Sequence, residues 1–166
     1  PYFRKRQFAG EEGRFQTPFS LDKSQVGFEK SAEEWHPSFA IRWTQSFGQL
    51  ELGLSHFYGV GREPVIQFDE SDLGFNAIYP LMNQTGIDMQ IITGPILWKF
   101  ESIIRRSQPQ NMWAFATGAE YTISNTFNSG MDIGLLAEYL FDDRNELALS
   151  GLDNDLFLGA RLAFND

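Results

Sequence analysis

Cysteine is absent from the 166-residue sequence, which also lacks long apolar runs and any excess of basic residues. Without cysteine there is no disulfide framework, thiolate zinc site or thiol nucleophile. No apolar run approaches the roughly 20 residues that a membrane-spanning helix needs. The 13 Lys and Arg against 22 Asp and Glu give a net charge of −9, which argues against nucleic acid as a partner.

Apolar and polar residues alternate with a period of two over much of the sequence, a pattern typical of β-strands. Seven strands are predicted at 38–47, 49–58, 87–91, 96–104, 112–123, 131–141 and 156–164, with a weaker one at 24–30. Residues 1–23 receive no assignment, and 59–86 is expected to be a long loop. The alternation predicts a single all-β domain over 1–166, an antiparallel up-and-down (meander) barrel of about eight strands.

The two faces of these strands differ in composition. One face carries no Asp, Glu, Lys or Arg, whereas the other combines small residues with charges of both signs. A water-facing surface has little reason to prefer Gly53, Gly118, Gly134 and Gly159, but a crowded interior does. The composition therefore favours a transmembrane barrel, in which apolar residues face lipid and small or polar residues fill the lumen. The predicted lumen-lining residues are Arg42, Glu51, Asp88, Lys99, Glu101, Glu120, Asp132, Glu138 and Arg161.

Connection lengths and aromatic positions point the same way. Short turns near Gly48 and Gly94 alternate with longer connections, and outer-membrane barrels have short turns on one side and long loops on the other. Aromatic residues fall near both ends of the predicted strands, as bilayer interfaces favour, although aromatics are frequent in any sheet. The predicted lipid-interface aromatics are Trp43, Trp98, Trp113, Tyr121, Tyr139 and Phe141.

Several spaced motifs resemble a group of uncharacterised, porin-like outer-membrane proteins of proteobacteria. These motifs are LLAEYLFDDR at 135–144, NDLFLGARLAFND at 154–166, GREP at 61–64, LWKFE at 97–101 and GAEYT at 118–122. The resemblance implies an integral barrel in the outer membrane of a Gram-negative bacterium, with the lipid bilayer and lipopolysaccharide as partners. It also implies more strands than are present here, and it supplies no catalytic residues.

The last residues depart from that pattern. Autonomous outer-membrane barrels generally finish in a strand with a terminal aromatic residue, whereas this chain stops at Asn165 and Asp166. An eight-stranded barrel would close, but its interior would be filled by side chains. We therefore expect the chain to be a segment of a larger barrel.

Few residues have the chemistry of a catalytic site. The two histidines are His36, before a proline, and His56 on the apolar face, and alternation directs Ser55 and His56 to opposite faces. No metal, cofactor or enzymatic activity is expected, and the acidic stretches at 69–72 and 142–143 fit solvated loops. The predicted function is a porin-like channel for small solutes or a structural membrane protein. The alternatives are a soluble barrel that carries an apolar ligand among its tryptophans, and an outer-membrane lipid hydrolase that uses His56.

Overall fold

The computed structural model describes residues 3–4, 26–29, 35–69, 74–108, 110–145 and 153–164. These residues form ten β-strands, and no helix among them is long and apolar enough to span a membrane. The strands are β1 (Gly27–Phe28), β2 (Phe39–Phe47), β3 (Leu50–Val60), β4 (Val65–Asp69), β5 (Gly74–Tyr79), β6 (Leu81–Thr93), β7 (Ile96–Ser107), β8 (Met112–Thr126), β9 (Met131–Asp142) and β10 (Asn154–Phe164).

Seven strands form one sheet in the order β2-β3-β6-β7-β8-β9-β10. The β2–β3 and β6–β7 connections are tight turns at Gly48 and Gly94, whose φ angles of 63° and 60° suit glycine. Direct partners include Lys99 with Gly118 on β7 and β8, and Gly134 with Arg161 on β9 and β10. The prediction of an all-β, antiparallel up-and-down architecture is confirmed.

No closed barrel is found in the described part of the chain, because β2 and β10 end the strand order without pairing with each other. The coarse fold is therefore an antiparallel meander, and its closure around a lumen is not part of the observed topology. The seven predicted long strands correspond to β2, β3, β6, β7, β8, β9 and β10.

A second sheet contains three strands in the order β1-β5-β4 and corrects the prediction of a long loop at 59–86. That stretch contains β4, β5 and the first residues of β6. The weak strand predicted at 24–30 is the short β1, which pairs in parallel with β5 through Gly27 and Ile78. Alternation is poor in these strands because Val65 and Ile66, like Ala77 and Ile78, are adjacent apolar residues. Most of 1–23 lies outside the described residues.

The chain divides into two compact units, and the single-domain organisation stays a prediction. One unit comprises Pro1–Ala40, Phe57–Asn83 and Arg106–Gln110, and the other comprises Ile41–His56, Gln84–Arg105 and Asn111–Asp166. In the first unit, the buried ring of Tyr79 stacks on Phe28 and makes an edge contact with Phe3. In the second unit, most large apolar side chains of the sheet are exposed rather than buried.

Candidate functional site

The nine predicted lumen-lining residues all lie on one face of the seven-stranded sheet, called here the polar face. Pairing across the strands fixes this placement: Lys99 is opposite Gly118, which is opposite Glu138 on the next strand. Toward the β2 edge of the sheet, the Arg42 guanidinium and the Gly53 backbone both approach the Asp88 carboxylate. The structure therefore brings these side chains to one surface, while their role in a lumen stays a prediction.

An ion pair joins the edge strand β2 to β6 across the intervening strand. Nη2 of Arg42 donates to Oδ2 of Asp88 at 2.8 Å. The pair passes over Gly53 of β3, where a Cβ atom would lie 2.4 Å from the same carboxylate oxygen. The absence of a side chain at Gly53 thus leaves the space through which the two charges meet.

A second ion pair has the same arrangement at the opposite edge. Nη2 of Arg161 on β10 donates to Oε1 of Glu120 on β8 at 2.7 Å. The intervening residue is Gly134 of β9, where a Cβ atom would lie 3.0 Å from Oε1 of Glu120. Arg161 is 68% exposed, whereas Glu120 is only 19% exposed. Both edge strands therefore direct an arginine inward over a glycine to a carboxylate two strands away.

Two further predicted lumen residues, Glu51 and Asp132, accept hydrogen bonds from uncharged groups. Glu51 accepts a hydrogen bond from the side-chain amide of Gln90. Asp132 accepts one from the backbone nitrogen of Asn125 at 2.8 Å. A cavity of about 520 Å³ lies at β2, β3 and β6, lined by Arg42, Thr44, Gln45, Ser46, Glu51, Leu52 and Asp88. The polar face is therefore accessible to small polar molecules near β2, β3 and β6.

The opposite face, called the apolar face, carries no charged residue between Ile133 and Phe141 of β9 or in the stretches that pair with it. Many of its large side chains are exposed, with Trp43 at 46%, Trp98 at 47% and Trp113 at 45%. On β8 the polar-face residue Glu120 is half-buried, whereas its neighbour Tyr121 on the apolar face is exposed. At this point of β8 the sheet therefore buries a charged side chain more than the aromatic ring beside it.

The six predicted interface aromatics lie on the apolar face, and three of them join one cluster. Phe115 contacts Phe141 and Tyr139 with ring-centre distances of 5.2 and 5.8 Å, and Trp113 lies 5.4 Å from Phe115. The Trp113 indole donates to Ser102 Oγ at 3.0 Å. Phe115 is not among the six predicted interface aromatics, although the alternation places it on the apolar face between Trp113 and Thr117.

Trp98 and Tyr121 lie together toward the other end of β7 and β8, and Trp43 is on β2. Trp98 and Tyr121 line the same shallow groove over Ala119 and Ala137. The indole of Trp98 donates to Thr93 Oγ1 at 2.9 Å, which fixes the ring beside the β6–β7 turn. The aromatics therefore occur at two levels along the strands, and their position at lipid interfaces stays a prediction.

An ion pair that the sequence does not predict lies at the end of β9, between Asp142 and Arg144. Asp142 accepts hydrogen bonds from Nη2 and Nε of Arg144 at 2.6 and 2.9 Å. The Arg144 side chain, its backbone hydrogen bond and its charge lower the pKa of Asp142 despite the burial of the carboxyl. The Asp143 carboxylate accepts a hydrogen bond from the Trp113 backbone nitrogen at 2.9 Å. The 142–143 acidic pair is thus part of an ordered strand end.

Neither histidine forms a catalytic couple in the described residues. His56 Nδ1 lies 3.0 Å from the Thr85 hydroxyl, and the Ser55 hydroxyl is directed to the Gly86 carbonyl oxygen at 3.5 Å on the other face. Within the described ranges, no group of three or more histidine or acidic side chains has the arrangement of a metal site. These geometries offer no nucleophile activated by a neighbouring base.

The fold and the site define a class in coarse terms: an antiparallel all-β meander with a charged, glycine-lined face and an exposed apolar face. Comparison with protein families, with curated proteins and with solved structures finds no match to this chain.

Proposed function

We propose that the chain forms the wall of a porin-like β-barrel in the outer membrane of a Gram-negative bacterium. The observation that supports this proposal is the exposure of an apolar sheet face that carries no ionised group along Ile133 to Phe141 of β9 and the stretches paired with it, opposite a face that holds half-buried charges. Monomeric soluble proteins rarely expose contiguous apolar patches larger than a few hundred Å². In a bilayer the same face is the favourable contact with hydrocarbon, and lipid and lipopolysaccharide are its partners.

The polar face is the proposed lining of an aqueous passage for small solutes. Its glycines leave room for arginine side chains to lie along the sheet, and its ion pairs join strands on the side away from lipid. Charged residues on the lumen face of a membrane barrel determine which solutes pass. The residues proposed to contact solute are the nine polar-face residues predicted from the sequence.

Detergent dependence and heat-modifiable migration test the membrane proposal. The purified chain is expected to require detergent and to migrate differently on electrophoresis before and after boiling, because a folded barrel resists unfolding by cold detergent. A monodisperse, folded chain in plain buffer would contradict the proposal and favour a soluble carrier. In such a carrier the tryptophans would surround an apolar ligand, an arrangement that their exposure here does not support.

Two neighbouring leucines of β9 provide a matched pair of variants. Leu135 is exposed on the apolar face, and Leu136 is half-buried on the polar face. In bilayers, Leu135→Arg is expected to cost about 2–4 kcal/mol of folding free energy, the cost of arginine on a lipid-facing position at mid-depth. Leu136→Arg is expected to cost less, because its side chain faces the aqueous side. Equal costs for the two variants would refute the assignment of faces.

The absence of enzymatic activity stays a prediction. If a lipase or protease activity were detected, His56→Ala would be expected to leave it unchanged. In a catalytic triad a carboxylate orients the histidine, whereas Nδ1 of His56 lies beside the Thr85 hydroxyl. Loss of that activity in His56→Ala, with migration unaffected, would support the hydrolase alternative.

A further inference from the structure

Charged residues on the polar face are unequal in number. Counted along the seven strands, the basic residues are Arg42, Lys99, Arg105 and Arg161, and the acidic residues are Glu51, Asp88, Glu101, Glu120, Asp132, Glu138, Asp142 and Asp155. The four bases against eight acids give this face a net charge of −4 at neutral pH. Arg144, in the turn after β9, neutralises Asp142 and brings the balance to −3.

Ion pairing leaves the net charge of the polar face unchanged but determines which charged groups have no oppositely charged partner. The guanidinium groups of Arg42 and Arg161 each lie within 2.8 Å of a carboxylate oxygen. Arg105 donates to the Gln84 side chain at 2.8 Å and lies near enough to Asp142 to lower its pKa. Arg42 and Arg161 are therefore each paired with a carboxylate of the sheet, and Arg105 lies near Asp142.

Among the residues that the structure describes, three carboxylates of this face form no ion pair with a basic group. Glu138 and Lys99 flank Gly118 in register, the spacing at which the two arginine pairs form, yet the two side chains make no ion pair among the described residues. Glu101 lies two residues from Lys99 on the same strand face. Glu51 borders the 520 Å³ cavity and is bonded only to the neutral amide of Gln90 in the described part of the chain.

We propose that the polar face selects for cations, and that Glu51, Glu101 and Glu138 produce this selectivity. The proposal rests on the proposed function, since it names the solute class of the same face. A surface lined by one sign of charge beside low-dielectric walls raises the local concentration of the opposite ion. Here these three carboxylates attract small hydrated cations, while Arg42 and Arg161 are already neutralised by Asp88 and Glu120.

Ion permeability across planar lipid bilayers in a KCl concentration gradient tests the proposal. The intact protein is expected to conduct K⁺ at least about threefold better than Cl⁻. A triple variant, Glu51→Gln, Glu101→Gln and Glu138→Gln, lowers the carboxylates of this face from eight to five against four bases. Its permeability ratio is expected to fall to about one. The triple variant with aspartate at the same three positions keeps the charges and is expected to keep the preference.

Each result has a distinct meaning. Absence of any conductance from the folded, heat-modifiable protein would overturn the proposed function and this inference with it. Conductance without a preference for K⁺ would leave the channel proposal intact and overturn the inference alone. An unchanged preference in the glutamine variant would also overturn it, because the selectivity would then come from other groups. Retained heat-modifiable migration in both variants shows that folding is not the cause.

Discussion

Replacing Gly118 by alanine tests how closely β8 and β9 approach on the polar face. A Cβ atom on Gly118 would lie 2.5 Å from the carbonyl oxygen of Ala137 and 3.1 Å from the Cα atom of Glu138. Both are backbone atoms of β9, and Gly118 is the direct ladder partner of Glu138. Ordinary contact begins near 3.4 Å, so the first distance is 0.9 Å too short (3.4 less 2.5).

The expected cost of Gly118→Ala follows from that shortfall. Overpacking a well-packed site costs about 1–3 kcal/mol, and the upper half of this range is expected because backbone rather than a mobile side chain must move. Gly159→Ala on β10 is the matched control. Its nearest atom is a ring carbon of Phe157 at 3.2 Å, which can shift because that ring is exposed. The control is expected to change the folding free energy by less than about 1 kcal/mol.

Urea unfolding of the protein refolded in detergent or lipid measures both variants, and the four tryptophans provide the fluorescence signal. Gly118→Ala is expected to move the transition to lower urea, whereas Gly159→Ala is expected to stay close to the unmodified chain. If the two variants unfold at the same urea concentration, the close approach of β8 and β9 at Gly118 is not what determines stability there.

The ion pairs and one turn give three further measurable outcomes. A double-mutant cycle of Arg161→Ala and Glu120→Ala is expected to give a coupling below about 1 kcal/mol, because the arginine is largely exposed; about 3 kcal/mol would indicate a buried pair. The pKa of Asp142 is lowered by Arg144, so this pair stabilises the fold above the ordinary pKa of 3.8 and loses its contribution as acid protonates the carboxylate below that value. Unfolding of the unmodified chain and of Asp142→Asn across pH measures this contribution. The difference in stability should be constant near neutrality and shrink only below pH 3.8. A difference that already shrinks at pH 6 would contradict the assignment. Gly94→Ala is expected to cost about 1 kcal/mol in the same unfolding assay, because φ at this turn is 60°, and no loss would argue against that conformation.

The long strands could be predicted from the sequence because strict alternation over about ten residues has few other interpretations. The predicted strands at 131–141 and 156–164 lie within one residue of β9 and two residues of β10 at each end. The beginning of β6 was not predictable in the same way. Leu81 and Met82 are adjacent apolar residues, and Asn83, Gln84 and Thr85 are three consecutive polar ones. The first five residues of β6 therefore do not alternate.

The small sheet was missed because its pairing depends on contacts between distant parts of the chain. β1 contributes only two residues and pairs with β5 some 50 positions later, through Gly27–Ile78 and Phe28–Tyr79. Pro64 and Pro80 border β4 and β5, and proline is usually evidence against a central strand. Length and alternation carry little information in such short segments, whereas the ladder itself is clear in the structure.

For the candidate site, the sequence could predict the face of each charged residue but not its partner. Alternation is enough to place Arg42 and Asp88 on the same side of the sheet. Their pairing also needs the register between β3 and β6, which no tight turn sets because two further strands intervene. The Asp142–Arg144 pair was missed for the opposite reason, since it lies within a turn whose conformation the alternation does not describe.

Strand direction places a condition on how this sheet could enclose a lumen. Each neighbouring pair in the order β2 to β10 is antiparallel, so the six steps between the two edge strands leave β2 and β10 running in the same direction. An up-and-down barrel closes through antiparallel pairs and needs an even strand number. A closed barrel that contains these seven strands therefore requires a strand running opposite to both edges. Arg42 and Arg161 already meet carboxylates within the sheet, so that strand need not supply a charge to either edge.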